Sequence, residues 1–85
     1  MMSTKSVPDI AVAVIEAAAK QGGVPIESVS LATHFVNDLN FDSLDAVEFA
    51  MSVEDALGVK IPDEKVPAMT TVQMVIDYVK SQRSG

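Results

Sequence analysis

The chain has 85 residues, 48% of them hydrophobic, with no cysteine and a formal net charge of −6. This length supports one domain whose core is too small for a deep catalytic cleft, so we expect a module and not a self-sufficient enzyme. The 12 acidic residues against 6 basic ones exclude the phosphate neutralisation that drives nucleic-acid binding and favour partners with basic patches. Without cysteine, disulfides, thiolate metal ligands and cysteine nucleophiles are excluded, so any thiol must arrive with a cofactor.

No segment is predicted to enter a membrane. The longest near-apolar stretch, residues 10–19, is interrupted by Glu16 and is far shorter than the roughly 20 residues that span a bilayer. Lys5 is followed by Pro8 and Asp9 before that stretch, which is not the pattern of a signal peptide. We therefore expect a soluble, cytoplasmic protein.

The first helix is predicted to begin near Val7 and to stop at Gly22-Gly23. Ser6 is its candidate N-cap, and both Pro8 and Asp9 are favourable in a first helical turn. The predicted buried face of this helix consists of Ile10, Val14 and either Ala17 or Ala18.

Residues 21–40 are predicted to form a long, packed loop. They contain glycine, proline and serine residues that disfavour regular structure, together with isolated apolar anchors. The anchors are Ile26, Val29, Leu31, Phe35 and Leu39. A loop of this length in so small a domain is more often functional than idle.

The second helix is predicted over residues 44–57, a segment without glycine or proline. Gly58 provides a C-terminal stop, and Asp42 with Asp45 resembles an acidic N-cap pair. Ser43 therefore lies at the expected start of this helix.

Two opposite faces of the second helix are both partly apolar. The better candidate for a core face consists of Ala46, Phe49, Ala50, Val53, Ala56 and Leu57. The other face consists of Leu44, Val47, Glu48, Met51, Glu54 and Asp55. Burying this second face would strand charges, and exposing it would leave an apolar strip in water, so a transient docking surface fits both properties. Coverage of a second part of the core is the open alternative.

A short helical turn and a final helix complete the predicted elements. Pro62 ends any extended pairing, Asp63 is a candidate cap for the turn, and Pro67 limits the turn to very few residues. The final helix begins at the capping-box pattern of residues 70–73 and frays over residues 81–85. Its apolar positions at helical spacing are Val72, Val75, Ile76 and Val79.

These elements predict an all-α fold, a small four-helix bundle of three main helices and a short third helix, with a long first loop. No internal repeat, low-complexity segment or alternating strand pattern competes with it. We expect a single domain over residues 1–85, with a core at about 7–80 and a polar tail at 81–85.

No catalytic residue is predicted. A nucleophilic Ser43 would need a base, and the only histidine is His34, in the loop. Phe41 and Asp45 stand where a nucleophile elbow has glycines. We expect His34 to hydrogen-bond locally or to face solvent.

No metal site is predicted either. Asp38, Asn40 and Asp42 alternate as in a calcium-binding loop. Ser43 replaces the required glycine of that loop, however, and Phe49 replaces its final glutamate. Loose binding of divalent cations stays open, with a solvated acidic surface as the simpler interpretation.

Ser43 suits a different role, that of a substrate for another enzyme. A phosphate at a helix N-terminus is favourably placed, whether it comes from phosphorylation or from a phosphodiester-linked cofactor. The simpler alternative is an ordinary serine in the first turn of a helix.

Four sequence blocks occur in the order and at the spacing of an acyl carrier protein. They are Asp42-Ser43-Leu44-Asp45, then Val47-Glu48 with Met51, then residues 61–64 (IPDE) and residues 70–73 (TTVQ). Asp-Ser-Leu alone is a weak signal, but four blocks in register are a strong one. The chain resembles this family from about residue 10 to about residue 79.

The resemblance implies that Ser43 carries 4'-phosphopantetheine through its hydroxyl, with Asp42 and Leu44 flanking the attachment. The thiol of the arm would hold growing acyl chains as thioesters, so the protein would be a carrier and a substrate of other enzymes, not a catalyst. A phosphopantetheinyl transferase would load the serine from coenzyme A. Acyltransferase, ketosynthase, reductase and dehydratase enzymes with basic patches would then bind one face of the second helix. The resemblance assigns to that face Asp42, Leu44, Asp45, Val47, Glu48, Met51, Glu54 and Asp55.

Fatty acid biosynthesis is the expected pathway, because the domain is short, lacks flanking linkers and begins near its own Met. We expect a monomer that neither binds nucleic acid nor inserts into a membrane. Carriers for polyketide, nonribosomal peptide, D-alanyl or specialised lipid synthesis share the fold and the serine, and they stay open. In a different class, an acidic helical adaptor with an unmodified or phosphorylated Ser43 would bind a partner groove through Leu44, Val47 and Met51.

A further hypothesis concerns the path of the acyl chain. Small side chains on the core face of the second helix would let that face part slightly from the last helix and admit the chain between them. The two surfaces consist of Ala46, Ala50 and Ala56 on one side and Val72, Ile76 and Val79 on the other. A long acyl chain left fully exposed to solvent would rule this out.

Overall fold

The computed structural model of the chain describes residues 9–83. It contains the α-helices α1 (Ile10–Gly22), α2 (Ser43–Leu57) and α3 (Val72–Arg83) and the short 3-10 helices Ile26–Ser28 and Asp63–Ala68. Helix α1 packs against both α2 and α3. Within residues 9–83, the only β-pairing is an isolated antiparallel bridge between His34 and Thr71. The predicted all-α bundle with a long first loop is confirmed, and its short third helix is the 3-10 helix Asp63–Ala68.

The helices of the described residues are short. The longest, α2, has 15 residues. No helix in the described part of the chain combines the length and the apolar character needed to cross a membrane.

Helix α1 begins later than predicted. Asp9 has extended backbone angles, φ −69° and ψ 117°, and its side chain accepts a hydrogen bond from the N–H of Val12, so it is the N-cap and not a residue of the first turn. Ser6, Val7 and Pro8, which were assigned to the helix start, lie outside the described residues. The predicted stop is confirmed, because Gly23 takes the left-handed conformation at φ 69°.

The core face of α1 is shifted slightly from the prediction. Val14 and Ala18 are fully buried, as expected, while Ile10 and Ala17 are only partly buried. Ala19 is buried and was not predicted. Small alanines on this face let α1 approach its neighbours closely.

The core face of α2 is confirmed at most positions. Its buried residues are Phe49, Ala50, Val53 and Leu57. Ala46 is partly buried, and Ala56 is exposed, so the prediction that Ala56 belongs to the core is wrong. Gly58 ends the helix in the left-handed conformation at φ 65°, as predicted.

All three phenylalanines of the chain form one cluster. The ring centroids of Phe35 and Phe41 are 5.3 Å apart and nearly parallel, and Phe49 lies 4.8 Å from Phe35 and 5.9 Å from Phe41. Each ring is at least 95% buried, since the exposed fractions are 4–5%. Two of the rings belong to the segment before α2 and one to α2 itself, so the cluster fixes that segment against the helix.

The long loop is packed, but not by all the predicted anchors. Val29 and Phe35 are buried and Leu39 is partly buried, whereas Ile26 is 50% exposed and Leu31 is 46% exposed. The prediction was wrong for these two because they lie in tight turns whose backbone, and not their side chains, makes the contacts. The carbonyl of Leu31, for example, accepts a hydrogen bond from the N–H of Gln73.

The start of α3 is held by the loop and by a threonine. The carbonyl of Thr33 accepts from the N–H of Val72 at 3.1 Å, and Thr71 Oγ1 accepts from the N–H of Met74 at 3.3 Å. The predicted capping box is wrong in detail, because Thr71 is the capping residue and the Gln73 side chain donates instead to Asp77 Oδ1. The Thr33 carbonyl and the Thr71 hydroxyl thus satisfy the N–H groups of Val72 and Met74, which the start of a helix leaves unpaired.

The remainder of α3 follows the predicted spacing. The side chains of Val72, Val75, Ile76 and Val79 are all buried. The helix extends to Arg83, so the prediction that it frays from Ser81 onward is wrong for residues 81–83. Residues 84–85 lie outside the described part.

The 3-10 helix Asp63–Ala68 is longer than the predicted turn. Pro62 occupies its N-cap position without a side-chain hydrogen bond, so Asp63 is its first residue and not its cap. Pro67 lies inside the helix, where its ring fixes φ near a helical value but leaves no N–H to donate a hydrogen bond. At the entry to this segment, Glu54 Oε2 accepts a hydrogen bond from the N–H of Ile61 at 2.6 Å.

Replacing Phe49 by alanine should lower the free energy of unfolding by about 3–5 kcal/mol, because it removes the ring shared by both other phenylalanines and leaves a cavity. Urea unfolding followed by circular dichroism measures this loss. The control is Met51→Ala on the same helix, where the side chain is 57% exposed and the change should stay within about 0.5 kcal/mol. Equal losses in the two variants would contradict the role of the cluster.

Candidate functional site

Ser43 is the first residue of α2 and is exposed. Its hydroxyl makes no hydrogen bond to any residue between 9 and 83. The side chain thus stands at the positive end of the helix dipole, with no hydrogen bond to the described residues to break.

Asp42 and Asp45 form a complete capping box around Ser43. Asp42 Oδ1 accepts from the N–H of Asp45 at 2.8 Å, and Asp45 Oδ2 accepts from the N–H of Asp42 at 3.2 Å. The predicted acidic N-cap pair is therefore confirmed. These reciprocal bonds fix the backbone on both sides of the serine.

Gln21 of α1 makes a contact that the sequence analysis missed. Its Nε2 donates to Asp45 Oδ1 at 3.0 Å and to Glu48 Oε1 at 2.9 Å. The hydrogen bond from the N–H of Asp42, followed by that from Gln21, lowers the pKa of the Asp45 carboxyl below its usual value. No local spacing announces this contact, because 24 residues separate Gln21 from Asp45.

The second face of α2 does not cover any part of the core. Leu44 is 64% exposed, Val47 37% and Met51 57%. Glu48 and Asp55 are exposed on the same side of the helix. An apolar strip bordered by carboxylates therefore faces solvent, which decides the question that helical spacing left open.

Glu54 differs from the other carboxylates of that face. It is partly buried, and its bond to the N–H of Ile61 connects α2 to the segment before the second 3-10 helix. This hydrogen bond stabilises the fold, whether or not Glu54 also contacts a partner.

An open groove of about 530 Å³ begins beside Ser43 and runs between the start of α2 and the 3-10 helix Asp63–Ala68. Its lining is mainly apolar and consists of Phe35, Val36, Phe41, Asp42, Ser43, Ala46, Val47, Asp63, Val66, Pro67, Met69 and Thr70. A small apolar cavity of about 20 Å³ lies nearby, among the three phenylalanines, Ala50 and Val75. Ser43 therefore stands at the rim of a cleft large enough for a flexible chain.

The groove does not lie where the hypothesis for the acyl chain placed it. Val72, Ile76 and Val79 are each at most 2% exposed, and none of them lines the groove. Ala46 does line it. The opening is thus between α2 and the short 3-10 helix and not between α2 and α3.

His34 has the local role predicted for it. Its Nδ1 accepts from the N–H of Asn37 at 3.1 Å, while its own N–H donates to Asp38 Oδ2 at 2.8 Å. Over residues 9–83, no group of three or more His, Cys, Asp or Glu side chains is placed to hold a metal ion.

The sequence matches the family model described as the phosphopantetheine attachment site over residues 12–79. Because this match covers most of the chain, the protein belongs to the phosphopantetheine-binding carrier family, as the resemblance to acyl carrier proteins indicated. Domains of this family hold a covalent 4'-phosphopantetheine on a serine and act as carriers, not as catalysts. When attached, the arm supplies the thiol that this cysteine-free chain lacks.

The hydrogen bonds of Asp45 predict a pH dependence of stability. Because its folded-state pKa lies below the ordinary value of 3.8, the unfolded chain takes up the proton first as the pH falls. The stabilisation is therefore complete above pH 3.8 and is lost as the pH falls through the lower folded pKa.

We expect Asp45→Asn to reduce the free energy of unfolding at neutral pH, and the difference from wild type to shrink as the pH falls below 3.8, the ordinary pKa of the carboxyl. Urea unfolding at a series of pH values measures this. Asp55→Asn is the control, since it removes one charge from the same helix without removing a hydrogen bond to the described residues, and it should cost less at neutral pH. A difference for Asp45→Asn that is independent of pH would contradict the assignment.

Proposed function

We propose that Ser43 carries the 4'-phosphopantetheine arm and that the protein shuttles acyl thioesters between enzymes of cytoplasmic fatty acid biosynthesis. The observation that carries this proposal is the placement of one exposed hydroxyl, without a hydrogen bond to residues 9–83, at the start of α2. It lies between an apolar groove and an acidic strip. An attachment residue needs these three properties, namely access for the transferase, room for the arm and a surface for partners.

The chemistry of attachment suits this position. A transferase would join Ser43 Oγ to the phosphate of the phosphopantetheine unit of coenzyme A, the adenosine portion would leave with its phosphates, and a base on the transferase would accept the hydroxyl proton. The resulting phosphodiester keeps a negative charge near the N–H groups at the start of α2, where the helix dipole stabilises it. The capping box holds these N–H groups in place.

The surrounding face has the properties of a transient docking surface. Exposed carboxylates speed encounters with basic patches, yet each exposed ion pair contributes only about 0–1 kcal/mol. Leu44, Val47 and Met51 add a modest apolar contact. Together they favour recognition followed by rapid release, which a shuttle requires. We assign to this face Asp42, Leu44, Asp45, Val47, Glu48, Met51, Glu54 and Asp55, with Asp42 and Leu44 also beside the arm.

The attachment is tested by the intact mass of the chain before and after incubation with coenzyme A and a broad-specificity phosphopantetheinyl transferase. We expect one phosphopantetheine increment on wild type and none on Ser43→Ala. Ser52→Ala, which removes an exposed serine from the same helix, should be loaded like wild type. Ser43→Ala should change the free energy of unfolding by less than about 0.5 kcal/mol, because the wild-type hydroxyl has no hydrogen bond within the described part of the chain.

A folded, initially unmodified wild-type chain that gains no mass would overturn the proposal and favour the acidic adaptor. Once loaded, the pathway is tested by supplying a malonyl group and fatty acid synthesis enzymes. Growth in fully reduced two-carbon steps supports fatty acid synthesis. Acceptance of unreduced or aminoacyl groups alone would point to polyketide or peptide synthesis instead.

We further infer that the groove beside Ser43 shelters the first carbons of the acyl chain. With an octanoyl chain attached, nuclear Overhauser contacts should connect its methylenes to Val66 and Met69 of the groove. The methyl signals of Val12, exposed on α1, serve as the control and should not shift. Contacts to Ile76 and Val79 would instead favour a path between α2 and α3, and an absence of contacts would show an exposed chain.

A further inference from the structure

Gln21 lies in the last turn of α1 and connects that helix to two carboxylates of α2. An ionised carboxylate accepts hydrogen bonds but cannot donate them, so the amide nitrogen and not the amide oxygen of Gln21 faces the pair. Both hydrogens of this nitrogen are used, one by Asp45 and one by Glu48. The side chain therefore holds two acidic groups on successive turns of α2 with a single donor atom.

The neutrality of this donor has a specific effect. Asp45 and Glu48 are both anionic and repel each other, so unsupported side chains would point apart. A lysine or arginine at position 21 would hold them but would also cancel one of their two negative charges. Glutamine holds them together and leaves both negative charges for a partner.

The second oxygen of Asp45 is also engaged. It accepts from the N–H of Asp42, so that the Asp45 carboxylate is fixed from α1 on one side and from its own helix start on the other. Glu48 is exposed, and its carboxylate is fixed by Gln21. One oxygen from each residue, Asp45 Oδ1 and Glu48 Oε1, is thus held within hydrogen-bond distance of the same nitrogen atom.

We propose that Gln21 is a positioning residue that presets Asp45 and Glu48 as one two-pronged acceptor for a guanidinium group of the phosphopantetheinyl transferase and of later partners. A planar guanidinium presents two donors side by side and matches two fixed oxygens better than the point charge of an ammonium. The recognition surface therefore includes the end of α1 as well as α2. This inference rests on the proposed function, because it concerns how the carrier is recognised.

The test measures the initial rate of phosphopantetheine transfer against carrier concentration for wild type and Gln21→Met, which keeps the length of the side chain and removes the donor. We expect KM to rise by about two- to tenfold, because the pair must then be ordered on binding, with kcat unchanged. The matched control is Gln73→Met. It removes a similar glutamine–carboxylate bond, to Asp77 on α3, and should leave KM as in wild type.

Two further measurements separate positioning from a merely structural role. The difference in KM between wild type and Gln21→Met should shrink in about 1 M salt, where charge recognition is screened. Gln21→Lys keeps a donor but adds a positive charge between the carboxylates, so its KM should exceed that of wild type even though the pair is still held. This second variant also provides an answer if Gln21→Met fails to fold.

Loading of wild type with the same KM in both Gln21 variants would overturn the positioning role and leave the proposed function intact. A fall in kcat without a change in KM would overturn it as well. If wild type itself is not loaded by the transferase, the proposed function fails, and this inference fails with it. The two failures are therefore distinguishable in one set of assays.

Discussion

The packing of three phenylalanine rings against one another is the contact on which the rest of the structure depends. Phe35 and Phe41 come from the loop and Phe49 from α2, and all three rings are buried together. Small domains have little apolar surface to bury, so a cluster of large rings contributes much of what holds the loop in place. Because Phe41 lies two residues before Ser43, the same contact also fixes where the serine emerges. The stability of the core and the geometry of the site therefore share one set of side chains.

One face of helix α2 packs into the core, and the opposite face is exposed to solvent. Polar contacts at the start of the helix stabilise this arrangement. The capping box uses an aspartate at each end, so the groups that satisfy the backbone also contribute negative charge to the surface. The backbone N–H of Asp42 and the side-chain amide of Gln21 are neutral donors that hydrogen-bond to the Asp45 carboxylate. These bonds offset part of the repulsion between neighbouring carboxylates. An acidic surface in such a small domain is stable because its neighbours are donors and not more carboxylates.

Features that depend on neighbouring residues could be predicted from the sequence. Asp42 with Asp45, and Gly58 at the end of α2, are recognisable because capping is decided within one helical turn. The core faces followed from helical spacing for similar reasons. Ser43 is distinguished from another serine in a first helical turn by the resemblance in four separate blocks, and not by a physical pattern alone.

Features that depend on distant contacts could not be predicted. The link from Gln21 to α2 crosses the whole loop, and the carbonyls of Leu31 and Thr33 that hold α3 belong to residues with no special side-chain signal. Apolar loop residues do not report which of them reaches the core, so Ile26 was misplaced. Whether Leu44 is exposed depends on whether another element covers it, and the packing of all the helices determines this coverage.

One wall of the groove contacts the core only through the partly buried Val66. No residue of the 3-10 helix Asp63–Ala68 is buried, and the Glu54 carboxylate holds its entry at Ile61. Substitutions in this wall can therefore change the shape of the groove without disturbing the helices that give the domain its stability. Such proteins could change the cargo that they accommodate through a few exposed positions while keeping the same core. Adaptation to new chemistry would then not be opposed by selection for stability.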